Sequence, residues 1–563
     1  MHDKPGLFSS LRHRDFALMM GAFSASAVGS WAYNVALVVW IFDETSSPGW
    51  IGAATVCRFL PALVFSAYGG VIAERFEQVR LMVVLDLASV AVMAVLAVEM
   101  ALHAPVGLAI ATAALTSTLA TPYEPAAAAM TPQLVGERDL ASANALRNTI
   151  DNVCVIAGPG LGAILLLLGP PSAAVAVNAG CFLISAVALS RVRARSMPVD
   201  VTEGGEAGAL KQALVGARAI TSSPVAAAPV AFSVIATFVF GVDTVLFIVL
   251  SEQILGTGTE GYGYLLAGLG AGGVLAAGMV TRLERLPTLG VVILVGMAFY
   301  CLPTLLFLFV DNPIVAFAVQ VVRGAGTLVV DVLAITALQR SLPRDLLARV
   351  FGAFGAFELL AVLVGASLTP LVIHSWGLDA ALWIFGLGVP VISLAGWPLL
   401  RQMDRDAATR HVLLAPKVAL LNGCDLFASV PAGGIDQLAG AAEEVDVVPG
   451  QAVIVKDQHA DAFYVVADGK LEVTATGAGA AKPLESLTAG DYFGEIGLIE
   501  GIQRTASVTA KTAGRLLRID GAAFVDALTE SAPSVALMDG ASSRLARTHP
   551  SLRMTGAGLS PDE

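Results

Sequence analysis

Twelve apolar runs, most of about 20 residues or more and broken by short charged or Pro/Gly-rich segments, constrain this chain more than any other feature. A hydrocarbon core of ~30 Å is crossed by a helix of about 20 residues at 1.5 Å per residue. Lipid offers no hydrogen bonds, so a backbone in it must satisfy its own, which favours helices. The runs fall at 16–42, 50–73, 80–101, 105–130, 141–168, 172–192, 226–253, 261–281, 288–310, 313–338, 346–373 and 378–401. A hydrophobic share of 56% against 14% charged residues, with a mean hydropathy of +0.76, agrees that lipid is the main solvent. The first run follows Lys4, Arg12 and Arg14 but is too long for the apolar part of a signal peptide, so it is expected to be the first span. Cys57, Cys154, Cys181 and Cys301 lie in apolar runs without disulfide or zinc spacing, which points to small core hydrophobes and to no metal site.

Lys and Arg next to spans mark the cytoplasmic side. Arg75, Arg80, Arg138, Arg191, Arg193, Arg195, Arg282, Arg285, Arg340, Arg344, Arg401 and Arg405 fall on alternate loops, whereas the loops near 43–49, 102–104, 169–171, 254–260, 311–312 and 374–377 hold no Lys or Arg. Both termini are therefore expected in the cytoplasm, with the chain multi-pass in an inner (plasma) membrane. The net charge of -12 is uninformative about partners, because the acidic residues gather after Glu443 while the basic ones of the first 400 positions set topology.

The polar segment 196–224 divides the spans into six plus six: a first bundle at 1–195 and a second at 225–403. After a linker at 404–417 the character changes. Period-two alternation appears in AVIVKD, AFYVVADGKLEV and GRLLRID, with turn signals at Pro449-Gly450 and Asp468-Gly469. A small β-rich soluble domain is expected over 418–545, flanked by helices, with a disordered tail at 546–563.

The six-plus-six pattern and its loops resemble the major facilitator superfamily over about residues 10–403. The loop GGVIAERFEQVR resembles that family's gating loop through Gly70, Glu74, Arg75 and Arg80, with Glu in place of the commoner Asp. GMVTRLER repeats it weakly through Gly278, Arg282 and Arg285. AGPGLGAIL, with Gly158, Pro159, Gly160 and Gly162, is similar to the exporters' Gly-Pro motif; together with PQLVGERDLASANALRN it resembles the siderophore and macrolide exporter branch. The resemblance implies a secondary transporter in a twelve-helix fold that rocks around a central site. The plainer role for the glycines is close helix packing.

Ionisable groups within spans cost ~2.5–3.5 kcal/mol each, which makes them candidates for transport or coupling. They are Arg58, Asp86, Asp151, Asp243, Arg323, Asp331 and Glu358. Arg147 and Asp151 stand at i, i+4 spacing, which suits an intrahelical ion pair. Asp243, Arg323, Asp331 and Glu358 lie deeper, where a carboxylate could exchange a proton against substrate. Trp31, Tyr33, Asn34, Phe232, Phe238 and Phe240 could line an amphipathic cavity or simply pack.

The sharpest local signal is FGEIGLIEGIQRTASV, residues 493–508. Glycine lets backbone approach a ligand, a short helix offers N–H groups to an anion, and arginine supplies a fixed fork of donors for phosphate. The run closely resembles the phosphate-binding cassette of cyclic nucleotide-binding domains, within a resemblance covering about 418–535. That implies contacts from Phe493, Gly494, Glu495, Ile496, Gly497, Arg504, Thr505 and Ala506, with Glu495 on the ribose 2′-hydroxyl and Arg504 on the cyclic phosphate. The β domain is then expected to be a jelly-roll-like barrel. Thr505 suits cyclic GMP as well as cyclic AMP; cyclic AMP is favoured on availability. No cofactor, nucleic acid or enzyme motif is expected. The leading expectation is a proton-coupled exporter of an amphipathic small molecule under cyclic nucleotide control; a receptor that moves nothing and a lysolipid flippase stay open.

Overall fold

The computed structural model describes residues 9–194, 214–221, 224–259, 261–283, 286, 288–341, 344–427, 430, 432–475, 482–499 and 501–529. The chain forms two compact units, Met1–Arg405 and Asp406–Glu563.

The first unit is helical. α1 (Arg14–Thr45), α2 (Pro48–Arg75), α3 (Gln78–Ala101), α4 (Val106–Ala120), α5 (Tyr123–Leu168) and α6 (Pro171–Ser190) form its first half. α7 (Pro224–Gln253), α8 (Gly261–Leu283), α9 (Leu289–Cys301), α10 (Pro313–Ser341), α11 (Arg344–Trp383) and α12 (Val389–Ala395) form the second. Packing repeats between the halves: α1 lies on α5 as α7 lies on α11, and α3 on α4 as α9 on α10. The halves meet chiefly through α2 against α11 and α5 against α8, a reciprocal arrangement expected of two related bundles.

Among the described residues, ten helical segments are long and apolar enough to cross a membrane. The number falls below the twelve runs because backbone breaks and helix ends do not coincide. α4 stops at Ala120, just before Pro122, yet the fourth run still counts as one crossing, Val106–Gly136, closed by the break at Gly136 (φ 69°); the fifth run supplies only a shorter apolar helix, Ala157–Leu168. The last two runs join in one apolar stretch, Arg349–Ala395, whose break sits at Gly377 (φ 83°). Its 47 residues are twice what one crossing needs.

In the second unit, strands β1 (Glu443–Val447), β2 (Ala452–Ile454), β3 (Ala462–Asp468), β4 (Leu471–Ala475), β5 (Lys482–Leu487), β6 (Tyr492–Phe493), β7 (Ser507–Ala510) and β8 (Gly514–Asp520) make two four-stranded antiparallel sheets. Their orders are β1-β8-β3-β6 and β2-β7-β4-β5. Val447, Tyr464, Val466, Leu471, Val508 and Leu516 fill one core between them. A second core gathers Leu421, Phe427, Phe463 and Phe524, with the Phe463 and Phe524 rings stacked at 4.4 Å. It binds α13 (Trp397–Asn422), α14 (Ala432–Ala441) and the final helix α16 (Gly521–Thr529) to the sheets. Residues 404–417, expected to be a linker, lie inside α13; Ala and Leu are frequent there and favour helix.

Candidate functional site

In the second unit, β6 ends at Phe493 and hands the chain through Gly494 to the five-residue helix α15 (Glu495–Ile499). Gly494 has φ 90°, a region that favours glycine, and an added Cβ would stand 2.9 Å from Arg504 Nη1. Phe493, Gly494, Glu495, Ile496, Gly497, Arg504, Thr505 and Ala506 all border one cavity. Arg504 is 4% exposed and Glu495 3%. A buried guanidinium needs partners. Arg504 donates from Nη1 to Gly494 O (2.9 Å) and from Nη2 to Ala462 O (2.7 Å) and Asp461 Oδ1 (3.0 Å). That leaves Nε–H and one Nη1–H among its five donors for a ligand. The backbone holds it as well: Arg504 N donates to Gln458 O, and Arg504 O accepts from Asp457 N, both at 2.9 Å.

The motif did not point to Asp461, nor to Val473, Leu484, Glu485, Leu487 and Tyr492, which border the cavity from β4, β5 and β6. The first is 43 residues from Arg504, and an acidic residue at a strand start carries no local signal. Partial burial works to raise the Asp461 carboxyl, but hydrogen bonds from Arg504 and Arg518 outweigh it and hold it below its ordinary value.

In the first unit the ionisable candidates sort into separate groups. Arg323 and Asp243 form a buried pair: Nη2 donates to both carboxylate oxygens at 2.8 Å, Nε to Tyr300 O at 2.9 Å and Nη1 to Gln320 Oε1 at 3.0 Å. Tyr300 Oη adds a bond to Asp243 at 3.1 Å. So complete a set of partners makes this a lock between α7 and α10. Asp331 and Glu358 meet instead through Ser233 Oγ, 3.5 Å from Asp331 Oδ1 and 3.0 Å from Glu358 Oε1. Asp86 accepts from Ser185 at 2.6 Å, and Asp151 is exposed. Arg147 pairs with Glu124, not with Asp151 one turn away, because α5 brings its own first turn back within reach across the Gly136 break. Arg58 stands on α2, bonded to Asn34 and 4.6 Å from the Phe59 ring centroid.

Arg58 borders a second cavity with Trp31, Asn34 and Phe240. Tyr33 and Phe232 are buried in the core instead, and Phe238 stands 6.2 Å from Phe385, so these three are packing residues. Gly158 and Gly162 face α1: an added Cβ at Gly162 would lie 2.8 Å from Ala32 O, whereas Gly160 faces open space.

Residues 6–422 match the family described as transmembrane secretion effector, a branch of the major facilitator transporters, which takes in most of the chain. The protein belongs to that family. Residues 444–531 of this secretion-effector relative match the cyclic nucleotide-binding domain. The chain is 23% identical over 394 residues to YfiS, an MFS-type transporter of Bacillus subtilis, covering 67% of this chain and 91% of that one. It is 44% identical over 77 residues to a cAMP-dependent protein kinase regulatory subunit of Yarrowia lipolytica, covering 14% of this chain and 20% of that one. It is 33% identical over 116 residues to the cGMP-dependent 3',5'-cGMP phosphodiesterase A of Dictyostelium discoideum, covering 21% and 13%. The chain thus spans a fifth or less of these two relatives. In the transmembrane secretion effector unit, the gating-loop candidates Arg75, Arg80 and Arg282 are exposed. Glu77 caps α3 by accepting from Val79 N and Arg80 N, a role the loop motif did not assign. The surroundings of Gly70, the side chain of Glu74 and all of Arg285 lie outside the described residues.

Proposed function

We propose that this protein is a secondary transporter of twelve spans, six plus six, that exports an amphipathic small molecule and is switched by a cyclic nucleotide bound in its C-terminal unit. The observation that carries the reading is the cavity around Arg504. Eight residues of one contiguous motif border it, and a buried cation there keeps two donors for an anion. Glu495 is assigned to the ribose hydroxyl and Arg504 to the cyclic phosphate; cyclic AMP is the favoured ligand. Proton coupling is assigned to Asp331 and Glu358, because two carboxylates joined by one serine hydroxyl form a site that holds and releases a proton. The distribution of the loop arginines supports a cytoplasmic location for both termini in this proposal.

Linkage sets what the nucleotide does: it shifts alternating access only by its differential affinity for the two states. α15 supplies Leu498 and Ile499 to the core that also holds Leu421 of α13, so a change at the cassette has a packed route to that helix.

Calorimetry of the purified protein with cyclic AMP and cyclic GMP tests the reading. We expect binding at about micromolar Kd or tighter, weakened about 100-fold or more by Arg504→Ala or Glu495→Ala. Arg504→Ala should also abolish nucleotide sensitivity of transport in proteoliposomes while leaving basal transport. No binding of either nucleotide would make the cavity a relic; nucleotide binding with no transport of any substrate would favour a receptor.

A further inference from the structure

The cavity between the two halves of the membrane unit carries an uncompensated positive charge. Its walls come from α1, α2, α7 and α8, and two of the residues on it, Arg58 and Asp243, are charged. Asp243 is spent: it is 2% exposed, and Arg323, itself fully buried, takes both its oxygens. The charges of that pair cancel, so Arg58 sets the sign of the space.

Arg58 stands ten residues into α2, about 15 Å along the helix from Pro48 and near the middle of the ~30 Å core. Among the described residues no carboxylate pairs with it; its contacts are the Asn34 side-chain oxygen and the Phe59 ring. A cation at that depth costs ~2.5–3.5 kcal/mol unless something pays for it. Here the compensation offered is one neutral amide and one aromatic ring, which is incomplete. The guanidinium keeps most of its five donors for a ligand in a planar fork suited to carboxylate or phosphate. Around it stand Trp31, Phe240 and Tyr262, whose flat apolar faces suit a hydrocarbon or aromatic body.

We propose that the transported molecule is an amphipathic anion, its carboxylate or phosphate seated on Arg58 beside Asn34 and its apolar body held among the aromatic walls. The inference deepens the transport reading and rests on it for the word transported; the charge preference of the cavity stands on Arg58 alone. Arg58 is the specificity-determining residue, and the Asp331–Glu358 pair, which does not border the cavity, is separate from it.

The test uses the full chain in detergent and two probes that share fluorophore and chain length but differ in end group, dansyl-undecanoate and dansyl-undecylamine. Binding is read by dansyl emission, and movement by uptake into inverted proteoliposomes. We expect the wild type to bind the acid at least about tenfold tighter than the amine. Arg58→Lys should keep that order, Arg58→Gln should remove it and Arg58→Glu should reverse it, with unchanged elution volume showing each variant folded. Arg58-dependent binding of the acid without uptake would support the site and sink the transport reading. A wild type that binds the amine as well as the acid, or no acid binding that depends on Arg58, overturns the proposal; so does Arg58→Lys behaving as Arg58→Gln.

Discussion

Asp461 accepts from two arginines, Arg504 at 3.0 Å and Arg518 at 3.4 Å, while its own side chain is 61% exposed. An exposed ion pair adds little stability by itself. Its effect here is orientation: it fixes the rotamer of an arginine otherwise held by two carbonyls. The carboxyl is held below its ordinary value, so its contribution is fully present above about pH 4 and is lost as pH falls through the lowered value. We expect cyclic AMP affinity to be flat from pH 7 to 5 and to decline below about pH 4. Asp461→Asn should start weaker and lack that decline; an equal decline in the variant would assign it to another group. The sequence run had grouped the eight residues that the fold sets around one cavity, because they fall within one short stretch of chain. Their partner was not, since an aspartate at the start of a strand looks like any solvated residue.

Among the elements, α5 shows how one motif divides into different roles. In AGPGLGAIL the glycines are alike on paper, yet Gly162 receives α1 so closely that an added Cβ would lie 3.0 Å from Val35 Cβ, while Gly160 has nothing within 4 Å. Close backbone approach is what small residues contribute in lipid, where helices gain nothing from hiding apolar surface. Gly162→Val should therefore destabilise the α1–α5 contact by about 1–3 kcal/mol, as overpacking does. Gly160→Ala should be neutral or stabilising by up to about 1 kcal/mol through helix propensity. Thermal unfolding of both variants in one detergent checks the pair, and equal effects would deny the packing role. Span existence was legible because the need for apolar residues acts on every position of a crossing. The ends were less so: the turn at Pro122 and the breaks at Gly136 and Gly377 rest on the backbone conformation of single residues, not on apolar content.

For the whole molecule, the proposed control by nucleotide needs a path along the chain, and α13 is the candidate because this one helix, Trp397–Asn422, includes the division at Arg405. Softening it with Ala408→Gly and Thr409→Gly, both exposed, removes about 1 kcal/mol of helix preference or more without touching either cavity. We expect nucleotide affinity to stay unchanged while the nucleotide's effect on transport shrinks, measured by titration and proteoliposome flux on the same preparation. An unaltered response would route the coupling elsewhere. From the sequence alone came an apolar helical unit, the arginine-marked loops and a run that resembles a phosphate-binding cassette, since each rests on composition or on neighbours in the chain. The tertiary structure decided which charges meet. Asp243 finds Arg323 80 residues on, Ser233 joins Asp331 and Glu358, and Arg58 is left facing a cavity. Such pairings follow from how helices rotate and pack against one another, and helical periodicity shows which residues share a face without showing what that face will meet.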